Sequence, residues 1–228
     1  MMTVSRIRER ADAFWSVAGG RGLYGRPVDL ERAVLAVLPI AIHRRPGLRA
    51  SAFVEILGQA SVPVSEVDRA LRGCLFANVG VGLILVDADD SWDEQRWTIA
   101  HEVAHFLLHY ADLRSRAIKT LGQSVIPVLD GTRPASRGEL FSSSLRDVPL
   151  GPYRHAMSRT EGRPTGQAAA METEAEDLGL ALLVPPSSQR NSDDLAEEFG
   201  IPPAVAAMTK TGQRRTSSGI LGLFGFHR

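Results

Sequence analysis

A single cysteine, Cys74, stands among the 228 residues. No internal disulfide can staple the fold, which fits a reducing compartment or a protein that needs no staple. Long apolar runs are also missing. The start, MMTVSRIRERADAFW, lacks the apolar core of a signal peptide. No stretch approaches the roughly 18 apolar residues of a membrane span. The expectation is a cytoplasmic protein with no membrane partner. Nor is one charge in excess: Lys plus Arg number 26 and Asp plus Glu 26. That balance argues against a general nucleic-acid or membrane-surface binder, and leaves room for a local basic patch. No internal repeat is visible. What is present is an ordinary globular composition in a chain long enough for one sizeable core.

Residues 4–18 have the spacing of an amphipathic helix stopped by Gly19-Gly20. A second helix starts near Pro27 and Asp29, with Leu30, Val34, Val37 and Leu38 on one face. Pro39 to His43 reads as a short strand, and 49–59 and 64–72 as helices, the latter with Ser65 as a cap. The best β signal follows: Cys74–Ala77 and Gly82–Val86 flank Asn78-Val79-Gly80, a hairpin turn. Residues 94–110 form a strongly apolar helix. Residues 111–168 are rich in Pro, Gly, Ser and Arg without long periodicity, which suggests a lid, a binding segment or disorder. Helical spacing returns from Ala169 to Val184 and ends at Pro185-Pro186. Two short helices then follow, DLAEEF closed by Gly200 and another opened by Pro202-Pro203.

The strongest chemical signal is His101-Glu102-Val103-Ala104-His105. Residues four apart share a helix face, so both imidazoles can converge on one metal ion. Imidazole nitrogen suits Zn2+, and two such ligands leave positions for a third ligand and a water. Glu102 is placed to take a proton from a zinc-bound water and later pass one to a leaving amine. The motif also lies in a helix apolar around most of its girth, with Trp97, Ala104 and Leu108 along the histidine face and Ile99, Val103, Phe106 and Leu107 on others. Such a helix is buried, and two histidines and a glutamate in it need partners, which a metal supplies.

Here the residues resemble a family. QRWTIAHEVAHFLLH is similar to the signature of the ImmA/IrrE metallopeptidases, and the hairpin ending in LILVDA leads into it as in that family. METEAEDLGLALLVP is similar to their second motif. The resemblance covers 73–110 and 170–205, is faint before residue 70 and is absent across 111–168. It implies an α+β, mostly helical, zincin-like domain with a small antiparallel sheet, and a third zinc ligand from the second motif. Anchoring on Leu182 to Pro185 puts Glu172 at the zinc-binding glutamate. Glu172 also shares a helix face with Ala168, Ala175 and Gly179, small residues that let two helices approach closely. Glu176, one turn on, is the competitor, and stands where the family usually has Asn. The implied substrate is a helix-turn-helix repressor or another regulatory protein.

The organisation expected is an N-terminal helical region (1–72), a zincin-like core (73–190) with a long insert at about 111–168, and a C-terminal helical segment and tail (191–228). His109 lies one turn beyond His105, but three histidines spaced by four on a straight helix cannot all close around one ion, so packing or support of a ligand is expected. Tyr153 and His155 stabilise an oxyanion if the insert folds over the site, and are otherwise ordinary loop residues. Cys74 reads as a small buried residue. His43 and His227 have no supporting context. The C-terminal pair, DLAEEFGIPPAVAAM, has helix-turn-helix proportions. Few basic residues lie on its second helix, so packing is the default there and direct nucleic-acid binding is not expected. Three functions remain: a zinc endopeptidase using Glu102, a zinc-stabilised interaction module without turnover, and a zinc hydrolase acting on a small amide.

Overall fold

The hairpin at Asn78 to Val81 is the middle of a four-stranded sheet. The computed structural model describes residues 2–52, 55, 68–145, 150–159, 164–185 and 192–210. The strands are β1 (Ile40–Arg45), β2 (Leu71–Asn78), β3 (Val81–Asp87) and β4 (Tyr153–Ser158), in the order β1-β3-β2-β4. Val79 and Gly80 both take positive φ, 53° and 82°, the requirement of a two-residue turn whose twist matches the strands. The Gly80 N–H donates to the Tyr110 hydroxyl at 2.6 Å, fixing the turn to the helix below.

The expected antiparallel sheet is mixed: β2 is antiparallel to β3 and β4, but β1 runs parallel to β3. The cause is where the chain re-enters. β1 ends with Arg45 beside Asp87, and β2 begins at the same end of the sheet, with Gly73 beside Val86. An isolated bridge, Arg49 to Ala70, closes the link between them. β2 therefore runs back along the sheet and its hairpin partner runs forward with β1. Leu71 and Arg72, read from sequence as the end of a helix, already belong to β2. Ala52 and Glu55 are helical, but residues 49–51 and 68–70 are not: Arg49 and Ala70 form the bridge, and Ser65 with the remainder of the two expected helices lies outside the described residues.

Eight helices surround the sheet among the described residues, besides shorter turns. They are α1 (Val4–Val17), α2 (Leu30–Val37), α3 (Trp92–His105), α4 (Asp112–Leu121), α5 (Arg137–Leu145), α6 (Gly166–Leu183), α7 (Ser192–Phe199) and α8 (Pro203–Lys210). A π-helical stretch, Phe106–Ala111, joins α3 to α4. Every residue from Trp97 to Tyr110 is buried, as its apolar girth required. One side of α3 lies on the sheet, where glycines make room: a Cβ on Gly82 would stand 2.9 Å from the Phe106 ring, and one on Gly73 2.3 Å from Thr98 Cγ2. The other side meets α6, where a Cβ on Gly179 would stand 3.3 Å from backbone atoms of Ala100 and His101.

The segment 111–168, irregular by sequence, holds α4, a single turn at Ile126–Leu129, α5 and β4. Its own apolar cluster is Ala117, Val125, Val128 and Leu129. The C-terminal helices pack as a default pair would: Leu195, Phe199, Ile201, Val205 and Ala206 join the main core. Arg96 ties them down, donating to the carbonyls of Phe199, Gly200 and Val28 at 2.9–3.2 Å. The apolar tail, with Arg214, Arg215 and His227, lies outside the described residues. Among those described, no helix is long and apolar enough to cross a membrane.

Because Gly179 faces backbone rather than a movable side chain, Gly179→Val should destabilise the chain by about 1–3 kcal/mol through overpacking. Chemical denaturation with chelator present, which removes any metal contribution, measures it.

Candidate metal centre

Two helices and one sheet edge meet at a group of buried polar side chains. His101 and His105 project from α3 with relative exposures of 2% and 0%, and their Nε2 atoms stand 3.0 Å apart. Glu172 reaches across from α6. Its Oε2 lies 3.2 Å from His101 Nε2 and its Oε1 3.6 Å from His105 Nε2. The close approach at Gly179, two turns along the same helix, brings that carboxylate within reach. Glu176 is not a member of this group; the donor atoms that lie within 4.8 Å of one another belong to His101, His105, His155 and Glu172.

These donors fit a zinc ion. Four ligands in a tetrahedron with bonds of about 2.0–2.1 Å stand about 3.3 Å apart, close to the 3.0, 3.2 and 3.6 Å separations found here. Burial, reinforced by the neighbouring His155, holds the His105 pKa well below the usual imidazole value, leaving the ring neutral and able to ligate. Glu172 is pulled the other way. Burial opposes its ionisation, but hydrogen bonds from His101, His105 and His155 outweigh that and keep it well below the carboxylate range.

β4 supplies the side chains that sequence reasoning had left as ordinary loop residues unless the insert folds over the site. Alternation along a strand puts Tyr153, His155 and Met157 on one face, and pairing of His155 with Leu75 of β2 sets that face over α3. The His155 ring stacks on His105 with centroids 3.8 Å apart. Its Nδ1–H donates to both oxygens of Glu102, at 2.9 and 3.0 Å, and its Nε2–H to Glu172 Oε1 at 2.9 Å. Burial disfavours a charged ring, yet Glu102 and Glu172 together push its pKa up to about 10. Tyr153 places its hydroxyl 2.8 Å from His105 Nδ1; burial and the two carboxylates raise its pKa, so it stays protonated. The signal for this strand was the period-two pattern Tyr-Arg-His-Ala-Met, short and hidden in a Pro- and Gly-rich stretch.

Glu102 itself is fully buried, adjacent in sequence to the first histidine and held by His155. His109 stands behind the group: its Nδ1 lies 2.9 Å from His105 Nδ1 and its Nε2 3.5 Å from Glu174. It supports His105 and does not join the converging donors, as expected for a third histidine on one helix. Cys74 is buried between β2 and the residues behind the sheet, among Leu48, Leu71 and Leu85. Burial and the charge of Glu102 raise its pKa well above the usual thiol value, which disqualifies it as a nucleophile. His43 is exposed on β1, away from these groups.

Residues 66–124 match the family model Peptidase_M78, the IrrE N-terminal-like domain. The resemblance to the ImmA/IrrE metallopeptidases holds over that span, which contains the hairpin and the whole HEVAH helix and ends before Glu172. The matched family is described as one of peptidases, and the His101, His105, His155 and Glu172 group of this chain could hold a metal ion. The comparisons with curated proteins and with solved structures each return no match.

In the metal-free protein the pairing of His155 predicts a pH dependence. A folded pKa of about 10 against an unfolded value of about 6.5 means that its contribution is full below pH 6.5 and is lost as pH rises toward 10. Unfolding midpoints measured in chelator should fall over that range for the natural sequence, and fall less for His155→Gln.

Proposed function

We propose that this chain is a cytoplasmic zinc endopeptidase in which His101, His105 and Glu172 hold the ion and Glu102 is the general base. The observation that carries the reading is the convergence of two imidazole Nε2 atoms 3.0 Å apart on a carboxylate 3.2 Å away, with a second carboxylate next to the first histidine in the chain. When bound, zinc supplies Lewis acidity, lowering the pKa of a water toward about 7 and polarising the scissile carbonyl. Glu102 accepts the proton of the attacking water and returns one to the leaving amine. His155 holds that carboxylate in place through its two Nδ1 contacts. The Tyr153 hydroxyl lies on the sheet side of the site, suited to the oxyanion of a tetrahedral intermediate, whereas both His155 N–H groups are engaged by Glu102 and Glu172. Tyr153 and His109 both contact His105 Nδ1 and so fix the orientation of that ligand. The substrate proposed, a helix-turn-helix repressor or another regulatory protein, rests on the family resemblance.

A second reading is favoured by one observation. His155 completes a group of four donor atoms, and structural zinc sites are closed by four protein ligands where catalytic ones keep a position open. In that reading the chain is a zinc-stabilised interaction module without turnover.

Bound metal and proteolysis of a repressor encoded nearby separate the two. Glu102→Gln should retain stoichiometric zinc and lose about 10²–10⁴-fold in cleavage rate, while His101→Ala should lose the metal. Equal biological activity of Glu102→Gln and the natural sequence would transfer the conclusion to the interaction module. Glu172→Ala should weaken zinc binding sharply and Glu176→Ala should leave it nearly unchanged; the reverse result would move the third ligand to Glu176. Tyr153→Phe and His109→Ala should each cost about 10–100-fold in zinc affinity or activity, measured against a chromophoric chelator and with a peptide substrate.

A further inference from the structure

Beside the metal group lies a cleft of about 1020 Å³, enclosed by the start of α1, the π-helical stretch with α4, α5 and the first turns of α6. It meets the site through Tyr153 and His109, the two side chains in contact with His105 Nδ1. Leu108, Met171 and Leu140 give its wall an apolar character, and Leu140 is 51% exposed there. Its volume is at the upper end for a small-ligand pocket and suits several residues of an extended peptide.

Arg6, Arg116 and Lys119 line the same cleft and are exposed. Two acidic side chains also line it, and Asp112 is exposed and in electrostatic reach of Arg6 and Lys119. Asp112 pairs with Arg10 at 3.0 Å. Glu174 faces His109 and accepts from the Met2 backbone N–H. The chain has no net charge, so this is a local basic rim around an apolar wall, separated from the donor group by Tyr153 and His109. The polypeptide that complements it has a bulky apolar side chain with acidic residues near it in sequence.

We propose that this cleft selects the substrate: an extended protein segment carrying a large apolar residue flanked by acidic residues, with Leu140 contacting the first and Arg6 and Lys119 the second. This rests on the peptidase reading for its role in turnover, but binding does not require turnover. Rim charges act on encounter and specificity more than on the chemistry itself, so the preference is strongest at low salt.

The test uses zinc-loaded full-length Glu102→Gln and labelled synthetic peptides with a central leucine flanked by glutamates, the same peptide with lysines, and the glutamate peptide with serine for leucine. Fluorescence anisotropy should show the first bound about tenfold or more tighter than either of the others at low salt. Arg6→Glu combined with Lys119→Glu should invert the charge preference, and Leu140→Asp should remove the advantage of leucine; unchanged unfolding midpoints establish that these exposed substitutions leave the fold intact. Equal binding of glutamate and lysine peptides, or an unaltered preference in the charge-reversed variant, overturns the proposal. Cleavage of an unfolded test protein by the natural sequence is scored separately. Cleavage without charge preference defeats the cleft and leaves the peptidase, whereas selective binding without any cleavage supports the cleft and defeats the peptidase.

Discussion

Two carboxylates, Glu102 and Glu172, are brought together in the interior of this protein, and neutralising them is the constraint on which the rest of the structure depends. An isolated carboxylate is very costly in a medium of low polarity, so buried charges are paired or bind metals. Here His155 lies between the two, donating to Glu102 on one side and to Glu172 on the other, while His101 and His105 face Glu172 from α3. Removing one partner of such a group leaves an uncompensated charge, which is more damaging than never having buried the pair. The same arrangement that satisfies the metal-free interior also presents nitrogen and oxygen donors at the spacing a tetrahedral cation needs.

Three elements must be held in register for this, and each is held by a different device. Helical spacing alone aligns His101 with His105. Gly179 allows α6 to lie against the backbone of Ala100 and His101, while Arg21 caps the end of that helix by donating to the Ala181 and Leu182 carbonyls at 2.7 Å. Strand pairing positions His155, because β4 is locked to β2 from Ala77 opposite Tyr153 to Leu71 opposite Ser158, with one irregularity between Leu71 and Gly73. Gly73 and Gly82 bring the sheet close enough to α3 for that edge strand to reach the histidines. The basic, apolar-walled cleft shares α6 with the donor group and reaches α3 through the π-helical stretch that continues it.

Much of the fold could be read directly. The hairpin at Asn78 to Val81, the apolar helix with HEVAH and the helix that precedes Pro185 all carry strong local signals, and a two-residue turn or a girdle of apolar side chains leaves few alternatives. Glu172 was legible through its neighbours, since small residues at Ala168, Ala175 and Gly179 mark a face for close helix contact. β1 was visible as a strand but its parallel pairing was not, because register between strands distant in the chain depends on where the intervening residues turn.

Local order therefore determined the ingredients: two histidines and a glutamate on one buried helix, a second glutamate on another, and a single cysteine that allows no internal disulfide. Only the tertiary structure decided that His155 joins the group and that Tyr153 stands beside it against His105. Their strand is six residues long in a segment of weak periodicity, and such a strand exists because β2 offers it an edge. The same holds for the cleft, where Arg6 lies more than a hundred positions from Arg116 and Lys119 in the sequence and shares a surface with them only after α1 and α4 have packed. Periodicity is a property of neighbours along the chain; charge pairing and recognition are properties of neighbours in space.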